Sequence, residues 1–170
     1  MKTKDMTTMA ILTALAFALS WVERLIPLEM IIPLPGVKLG LANTVTLFAM
    51  YRLSLPAALL ILTARCLLSA LFSGNMTGFA FSLAGGLLSM FVMAAAKRSR
   101  HLSVYGVSVL GAAGHNCGQI LIAMLLMHSV YIWGYLPYLL LIGTACGVAT
   151  GAVSAGVLRA LGGSRARSAA

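Results

Sequence analysis

Long apolar runs separated by short polar segments make up most of the chain. A helix that crosses a bilayer needs about 20 predominantly apolar residues. Six runs approach that length, and they predict spans at residues 6–26, 37–51, 55–72, 77–96, 104–128 and 136–161. The second run is short and stops at Arg52. The pattern therefore predicts an all-α membrane protein in which residues 1–170 form a single transmembrane domain, one bundle of six transmembrane helices.

The composition supports the membrane assignment. Hydrophobic residues make up 61% of the chain and charged residues 9%, whereas soluble domains are nearer half apolar and a quarter charged. Twelve Lys and Arg stand against three acids. In a soluble protein this excess of cations would suggest binding to nucleic acid. Here the cations lie at the ends of apolar runs, which is typical of a membrane protein. We therefore expect the lipid bilayer as the surroundings, and no nucleic-acid partner.

The distribution of the cations predicts the orientation. If the N-terminus faces the cytoplasm, the outer segments hold two cations, Arg24 and Lys38. The inner segments hold nine, at Lys2, Lys4, Arg52, Lys97, Arg98, Arg100, Arg159, Arg165 and Arg167. Cytoplasmic loops carry such an excess, so we expect a multi-pass protein of the cytoplasmic (inner) membrane with both termini inside.

One alternative concerns the N-terminus. Basic residues, an apolar run and the small residues Ala16 and Ala18 resemble a secretory signal with its cleavage site. However, the apolar run continues to Ile26, which is long enough to span a bilayer. We favour retention of this segment, and cleavage would leave the other five spans unchanged.

Motifs for enzyme chemistry are missing from the sequence. It has no GxxxxGK[ST], so the chain alone should not hydrolyse nucleotides, and no HExxH or GxSxG. A prenyl-transferring synthase would need clustered aspartates to hold magnesium against a diphosphate, and the only aspartate is Asp5. The three cysteines lack CxxC spacing. We predict a protein that is not an enzyme, with no catalytic residue, no metal and no cofactor.

Polar side chains inside the predicted spans are the most informative residues. Arg65 lies near the middle of the third span, where a charged arginine costs about 2.5–3.5 kcal/mol on insertion scales. His115 is at a similar depth in the fifth span, and Gln119 follows it by one helical turn on the same face. Asn43 lies in the outer half of the second span. These four side chains from three helices should share one layer of the membrane.

Two interpretations of this layer remain open. The polar groups either bond to one another and lock the bundle, as interhelical contacts commonly do, or they bind a solute. Arg65 together with the run His115-Asn116 and Gln119 favours a site for an anionic or strongly hydrogen-bonding solute. The candidates for substrate contact are Lys38, Asn43, Arg65, His115, Asn116 and Gln119.

Small residues form a stripe on each of two predicted helices, where they allow close approach of helix backbones. The stripe on the sixth helix, formed by Gly143, Gly147, Gly151 and Ala155, predicts packing inside the bundle. The stripe on the first helix offers a face to another subunit. We call it the alanine stripe, and it consists of Ala10, Ala14 and Ala18.

The connection between the first two spans, residues 23–38, is long and stiffened by proline. Its apolar side chains should lie over the bundle rather than extend into water. Two roles remain open, a lid over an outward-facing pocket or an interfacial connector. The residues that would form the lid include Glu29, Pro33, Pro35 and Gly36.

Two motifs resemble a known family. Residues 35–43, PGVKLGLAN, resemble the PGxKLGLAN signature of the Gx transporter family, and residues 108–119, SVLGAAGHNCGQ, resemble its SxxGAxxHNxGQ signature. Tyr135-Leu136-Pro137 also fits. This family is also labelled heptaprenyl diphosphate synthase component I. The resemblance covers nearly the whole chain.

The family is in turn similar to the S components of energy-coupling factor (ECF) transporters. The resemblance implies six helices with both termini inside, a pocket near the outer face, and a gating loop that would hold Glu29, Pro33, Pro35 and Gly36. It also implies that the alanine stripe docks on an ECF-type transmembrane coupling subunit, and that two partner ABC ATPases supply the energy. The missing P-loop is then expected.

The two family labels are competing hypotheses. In the first, the chain is the substrate-binding subunit of a small-molecule uptake transporter. In the second, it is a non-catalytic membrane component of a heptaprenyl diphosphate synthase. Six spans are an unusual way to build a small regulatory subunit, so the composition favours the first. A third possibility is a stand-alone structural or redox-associated membrane subunit. No haem or flavin site is recognisable in the sequence, since His115 and His128 lie thirteen residues apart on one helix, about 20 Å.

Overall fold

The computed structural model describes residues 3–25, 40–99 and 101–160, and these form six α-helices. They are α1 (Thr3–Arg24), α2 (Asn43–Arg52), α3 (Leu55–Ser73), α4 (Met76–Ala96), α5 (Val104–Met127) and α6 (Leu136–Ala160). A 3₁₀ helix, Val130–Tyr135, leads directly into α6. The described ranges contain no β-strand. The predicted all-α class and the number of helices are confirmed.

Five of the helices, α1 and α3 to α6, are long and apolar enough to cross a membrane. Their ends agree with the predicted spans to within three residues. Side-chain caps explain several of these ends: Ser54, Asn75 and Ser103 each accept a hydrogen bond from the backbone of the first helical turn. The chain is therefore a multi-pass membrane protein in its architecture, while the direction of its termini stays a prediction.

Helix α2 is shorter than the predicted second span. It begins at Asn43 rather than at residue 37, and its ten residues cover about 15 Å, half of a hydrocarbon core. The reason is Gly40, which has a φ of +80° and starts the turn that precedes the helix. Counting apolar residues does not detect such a break. Residues 37–39 lie outside the described part of the chain.

The short helix α2 is the centre of the bundle. It contacts all five other helices, and six of its ten residues are buried. Helix α5 packs closely between α4 and α6. A Cβ added at Gly147 of α6 would lie 2.8 Å from the Cα of Val109 in α5. Gly143, Gly147, Gly151 and Ala155 are all buried, so the small residues of α6 serve internal packing, as predicted.

The apolar core is divided into two clusters. One joins the start of α1, α3 and α5 to the end of α2, α4 and α6, with Met9, Met50 and Val104 among its members. The other joins the start of α4 and α6 to the end of α5, around Phe81, Ile120 and Leu139. Most of the buried polar side chains lie at depths between the centres of these two clusters.

Candidate functional site

A layer of buried polar side chains crosses the bundle from α1 to α5. We call it the polar layer, and it consists of Ser20, Glu23, Asn43, Arg65, Ser69, Ser82, Ser89, His115, Asn116 and Gln119. Five helices contribute to it. Two members, Glu23 and Arg65, have acidic or basic side chains, and such side chains are rare and costly at membrane depth.

Arg65 of α3 is the cation of the polar layer, and only 5% of its surface is exposed. Its Nη1 donates to the Ser20 hydroxyl and its Nη2 to the Asn43 Oδ1, each at 3.3 Å. The Nε atom is buried and makes no hydrogen bond to the residues that the structure describes. Both partners are neutral, so the guanidinium keeps donor capacity for an oxyanion.

Asn43, the first residue of α2, connects three helices. Its Oδ1 accepts from Arg65 of α3, and its Nδ2 donates to the Ser89 hydroxyl of α4 at 3.3 Å. Its backbone N–H donates to the carbonyl of Gly40 at 2.9 Å, which closes the turn before the helix. The turn at Gly40 therefore decides where the Asn43 side chain enters the layer.

Glu23 holds the start of α2 from the side of α1. It is 4% exposed, and its Oε1 accepts a hydrogen bond from the backbone N–H of Gly40. The neighbouring Arg24 donates from Nη2 to the carbonyl and hydroxyl oxygens of Ser69, at 3.4 and 3.3 Å, and stacks on Trp21. Thus the last turn of α1 reaches both α2 and α3.

His115 of α5 occupies space that two glycines leave open. A Cβ added at Gly40 would lie 3.2 Å from the Cδ2 of His115, and one added at Gly85 would lie 2.8 Å from its Nδ1 and Cε1. Any larger residue at these positions would have to displace the imidazole ring. The same Cβ at Gly40 would lie 3.1 Å from the Asn43 Nδ2, so His115 and Asn43 both lie beside this turn.

The structure brings some predicted site residues together and separates another. Arg65, Asn43 and His115 meet around the start of α2, and the fully buried Gln119 lies one turn beyond His115. Asn116 points to α6 instead, where its Nδ2 donates to the Leu139 carbonyl at 2.6 Å. The other predicted residues lie outside the described part of the chain, namely Lys38 and the proposed lid residues Glu29, Pro33, Pro35 and Gly36.

The sequence does not predict several members of the site. The apolar pattern assigns Glu23 to the outer connection, although it lies three residues after Ser20, which places both on one face of α1. Ser20, Ser69 and Ser89 carry no distinctive signal, because serines are common in spans. The role of Gly40 could have been suspected from its position between two apolar residues just before Asn43.

A small cavity adjoins the polar layer between α2, α4, α5 and α6. Its volume is about 10 Å³, enough for about one water molecule. Polar atoms line it, and one wall is the hydrogen bond between the Ser108 and Thr150 hydroxyls at 2.8 Å. The cavity lining includes Gly40, Asn43, Ser89, Ser108, Cys146 and Thr150. Among the residues that the structure describes, this cavity beside the polar layer has room for no solute larger than water.

Metal-binding geometry is not found in the described residues. No group of three or more His, Cys, Asp or Glu side chains lies close enough there to hold an ion. The arrangement of Arg65, Asn43, His115 and their serine neighbours suits hydrogen bonding and charge recognition.

The alanine stripe lies on the outside of the bundle. Ala10, Ala14 and Ala18 are all exposed, and the neighbouring Ile11 and Leu15 are at least half exposed as well. The opposite face of α1, with Met9, Leu12 and Ala16, is buried against the rest of the bundle.

Five bilayer-length apolar helices around a buried polar layer define a multi-pass helical membrane protein. A family model described as heptaprenyl diphosphate synthase component I matches residues 12–157, and the chain belongs to this family. The matched range contains the whole polar layer. No curated protein and no solved structure matches the chain.

Proposed function

We propose that this chain is the membrane-embedded substrate-binding subunit of a small-molecule uptake transporter, similar to the S components of ECF transporters. The observation that carries the proposal is the state of Arg65. Its guanidinium is buried at membrane depth, contacts two neutral side chains, and has one nitrogen without a partner among the described residues. A group that only locks helices together does not need a charge.

The expected solute follows from this chemistry. An arginine offers five N–H donors and no acceptor, and it binds carboxylate or phosphate oxygens more strongly than neutral ones. Asn43 and His115 lie close enough to add hydrogen bonds, and Gln119 lies one turn away. The solute therefore carries an oxyanion or several strong acceptors. Asn116 supports the site by holding α5 against α6 rather than by contact.

In this proposal the solute enters by movement of the chain, since the cavity beside the polar layer holds only about one water molecule. The turn before α2 is then the part that moves, and it would release the hydrogen bond from the Gly40 N–H to Glu23 when it opens. In this proposal, Glu29, Pro33, Pro35 and Gly36 belong to the gating loop that precedes the turn, and Lys38 adds a cation at the entrance.

The transport partners follow from the same assignment. The exposed alanine stripe on α1 supports docking to an ECF-type transmembrane coupling subunit, because small residues allow close helix contact. Two ABC ATPases bound to that subunit supply the energy, and the chain itself is not an enzyme. Both termini then face the cytoplasm, and the protein lies in the cytoplasmic (inner) membrane.

The test compares solute retention by variants of the full chain. Protein purified from native membranes is analysed by mass spectrometry for small molecules, and the retained anion is then titrated. Arg65→Gln should lower its affinity at least about tenfold, since hydrogen bonds to charged groups contribute about 1.5–3 kcal/mol. The matched control is Arg159→Gln, which removes an exposed cation at the end of α6. The proposal fails if Arg65→Gln and His115→Ala both leave retention intact.

The family description favours a second candidate function. As its name suggests, the chain would be a non-catalytic membrane component that assists a soluble heptaprenyl diphosphate synthase. The polar layer would then be a structural lock. This candidate predicts that a polyprenyl synthase copurifies with the chain, and that Arg65→Gln lowers stability without affecting the binding of any solute.

A further inference from the structure

A second concave surface of the bundle lies apart from the polar layer. It is a groove of about 610 Å³ on the outside of α3, α4 and α5, within the size range of ligand pockets. The small residues Ala84, Ala94 and Gly118 form its floor. Its walls are large apolar side chains, among them Leu55, Leu59, Leu87, Phe91, Leu121 and Ile122.

The groove extends over at least one leaflet of a bilayer. On α4 its lining runs from Ala84 to Ala94, ten residues or about 15 Å. This is half of the hydrocarbon thickness of about 30 Å. Ala94 lies two residues before the end of α4, so the groove opens near that end of the bundle. On α5 its lining runs from Gly118, which packs beside Ala84, to Ile122, five residues before the end of that helix.

Cations stand at the boundary end of the groove and not at its deep end. Ala84, Leu87, Phe91 and Ala94 follow one another at spacings of three and four residues, and the same spacing continues to Arg98. On the side of α3, Arg52 precedes the lining residue Leu55 by three positions. Both arginines are exposed.

Lys97, the residue before Arg98, already contacts the end of α2. Its Nζ donates to the carbonyl of Met50 at 2.6 Å and lies 4.6 Å from the centre of the Tyr51 ring. It ties the end of α4 to the end of α2, which keeps Arg98 and Arg52 on the same end of the bundle. Asp5 is the only acid at this end among the described residues, and it belongs to α1.

We propose that this groove binds one acyl chain of an anionic phospholipid, with the phosphate of the headgroup between Arg52 and Arg98. An apolar channel at least one leaflet long accommodates an acyl chain, and the two cations near its mouth complement an anionic headgroup. The site is independent of the proposed transport function, because it shares no residue with the polar layer.

The test measures lipid binding to the delipidated full chain by native mass spectrometry, with dioleoyl phosphatidylglycerol and dioleoyl phosphatidylcholine as competing probes. We expect a preference for the anionic lipid. Each cation beside an anionic lipid contributes a factor of about five, so the double variant Arg52→Gln/Arg98→Gln should lower its affinity about 30-fold. The control Arg159→Gln, at the same end of the bundle but on α6, should bind as the unmodified chain does.

A second variant tests the groove itself. Ala94→Trp fills the mouth of the channel, and it should lower the binding of both lipids while Ala152→Trp, on the exposed side of α6, should not. If Ala94→Trp does not fold, the arginine variants alone decide. Equal binding of the two lipids, or a double variant that matches Arg159→Gln, would overturn the proposal. So would the recovery of a polyprenyl phosphate instead of a phospholipid from native preparations.

Discussion

At the scale of single residues, two ionisable side chains hold the start of α2 at different atoms. Glu23 accepts from the backbone N–H of Gly40, and Arg65 donates to the side chains of Ser20 and Asn43. Glu23 therefore holds the backbone of the turn, while Arg65 holds the Asn43 side chain that follows it.

The first prediction concerns Glu23. Glu23→Ala removes the acceptor for the Gly40 N–H, so the turn before α2 should open more often. A buried hydrogen bond to a charged group contributes about 1.5–3 kcal/mol, and we expect amide hydrogen exchange in residues 40–45 to accelerate at least about tenfold. Exchange is measured by mass spectrometry on the purified chain.

Two controls make this measurement specific. Glu23→Gln keeps an acceptor oxygen and should retain much of the protection, and Asp5→Asn removes an exposed acid at the other end of α1 without effect. If Glu23→Ala leaves exchange at residues 40–45 unchanged, the side chain does not hold the turn.

The sequence predicts the site in part. The apolar pattern locates five helices, and equal depth in the bilayer brings Arg65 and Asn43 together, as their hydrogen bond confirms. Depth alone does not tell which way a side chain points around its helix. For this reason the sequence predicts Asn116 beside His115 in the site, whereas one residue of separation turns its side chain by about 100° toward α6. The contact of Glu23 with Gly40 depends on a loop conformation that no periodicity reveals.

At the scale of helices, glycine determines how closely α4, α5 and α6 approach. A Cβ added at Gly118 of α5 would lie 2.7 Å from the carbonyl oxygen of Ala84 and 2.8 Å from the Cα of Gly85. Backbone atoms cannot move away as the end of a side chain can. The same close approach places Gly85 against His115, so the packing of α4 on α5 also shapes the polar layer.

The second prediction concerns this packing. Gly118→Ala should destabilise the bundle by about 1–3 kcal/mol, the usual cost of an overpacked core. Gly156→Ala is the matched control, because Gly156 lies in α6 with no atom within 4 Å of an added Cβ. It should be neutral or slightly stabilising. Thermal unfolding of both variants in the same detergent gives the comparison, and equal melting temperatures would contradict the assigned close contact.

At the scale of the whole molecule, the proposed solute site and the proposed docking face lie on two sides of one bundle. The polar layer lies inside, under the turn at Gly40, and the alanine stripe lies outside on α1. Helix α1 connects them, because Ser20 and Glu23 on its last turns contact the site while Ala10, Ala14 and Ala18 face outward. A partner bound at the stripe would therefore act on the helix that holds the turn closed.

The third prediction concerns orientation. Tyr131, in the 3₁₀ helix before α6, is 93% exposed and should face the outside, whereas Ser99, after α4, should face the cytoplasm. In a background with the three native cysteines replaced by alanine, Tyr131→Cys should react with an impermeant maleimide in intact cells. Ser99→Cys should react only after permeabilisation. The reverse labelling pattern would invert the assigned topology.

The most direct test of the transport assignment is recovery of the tagged chain from its native membranes in mild detergent, with mass spectrometry of the copurifying proteins and small molecules. The assignment predicts a transmembrane coupling subunit with two ABC ATPases, and their loss in Ala14→Leu, which fills the alanine stripe. The exposed Ala152→Leu on α6 is the control and should retain them. Recovery of a soluble polyprenyl synthase, without ATPases, would contradict the assignment and establish the synthase-component role.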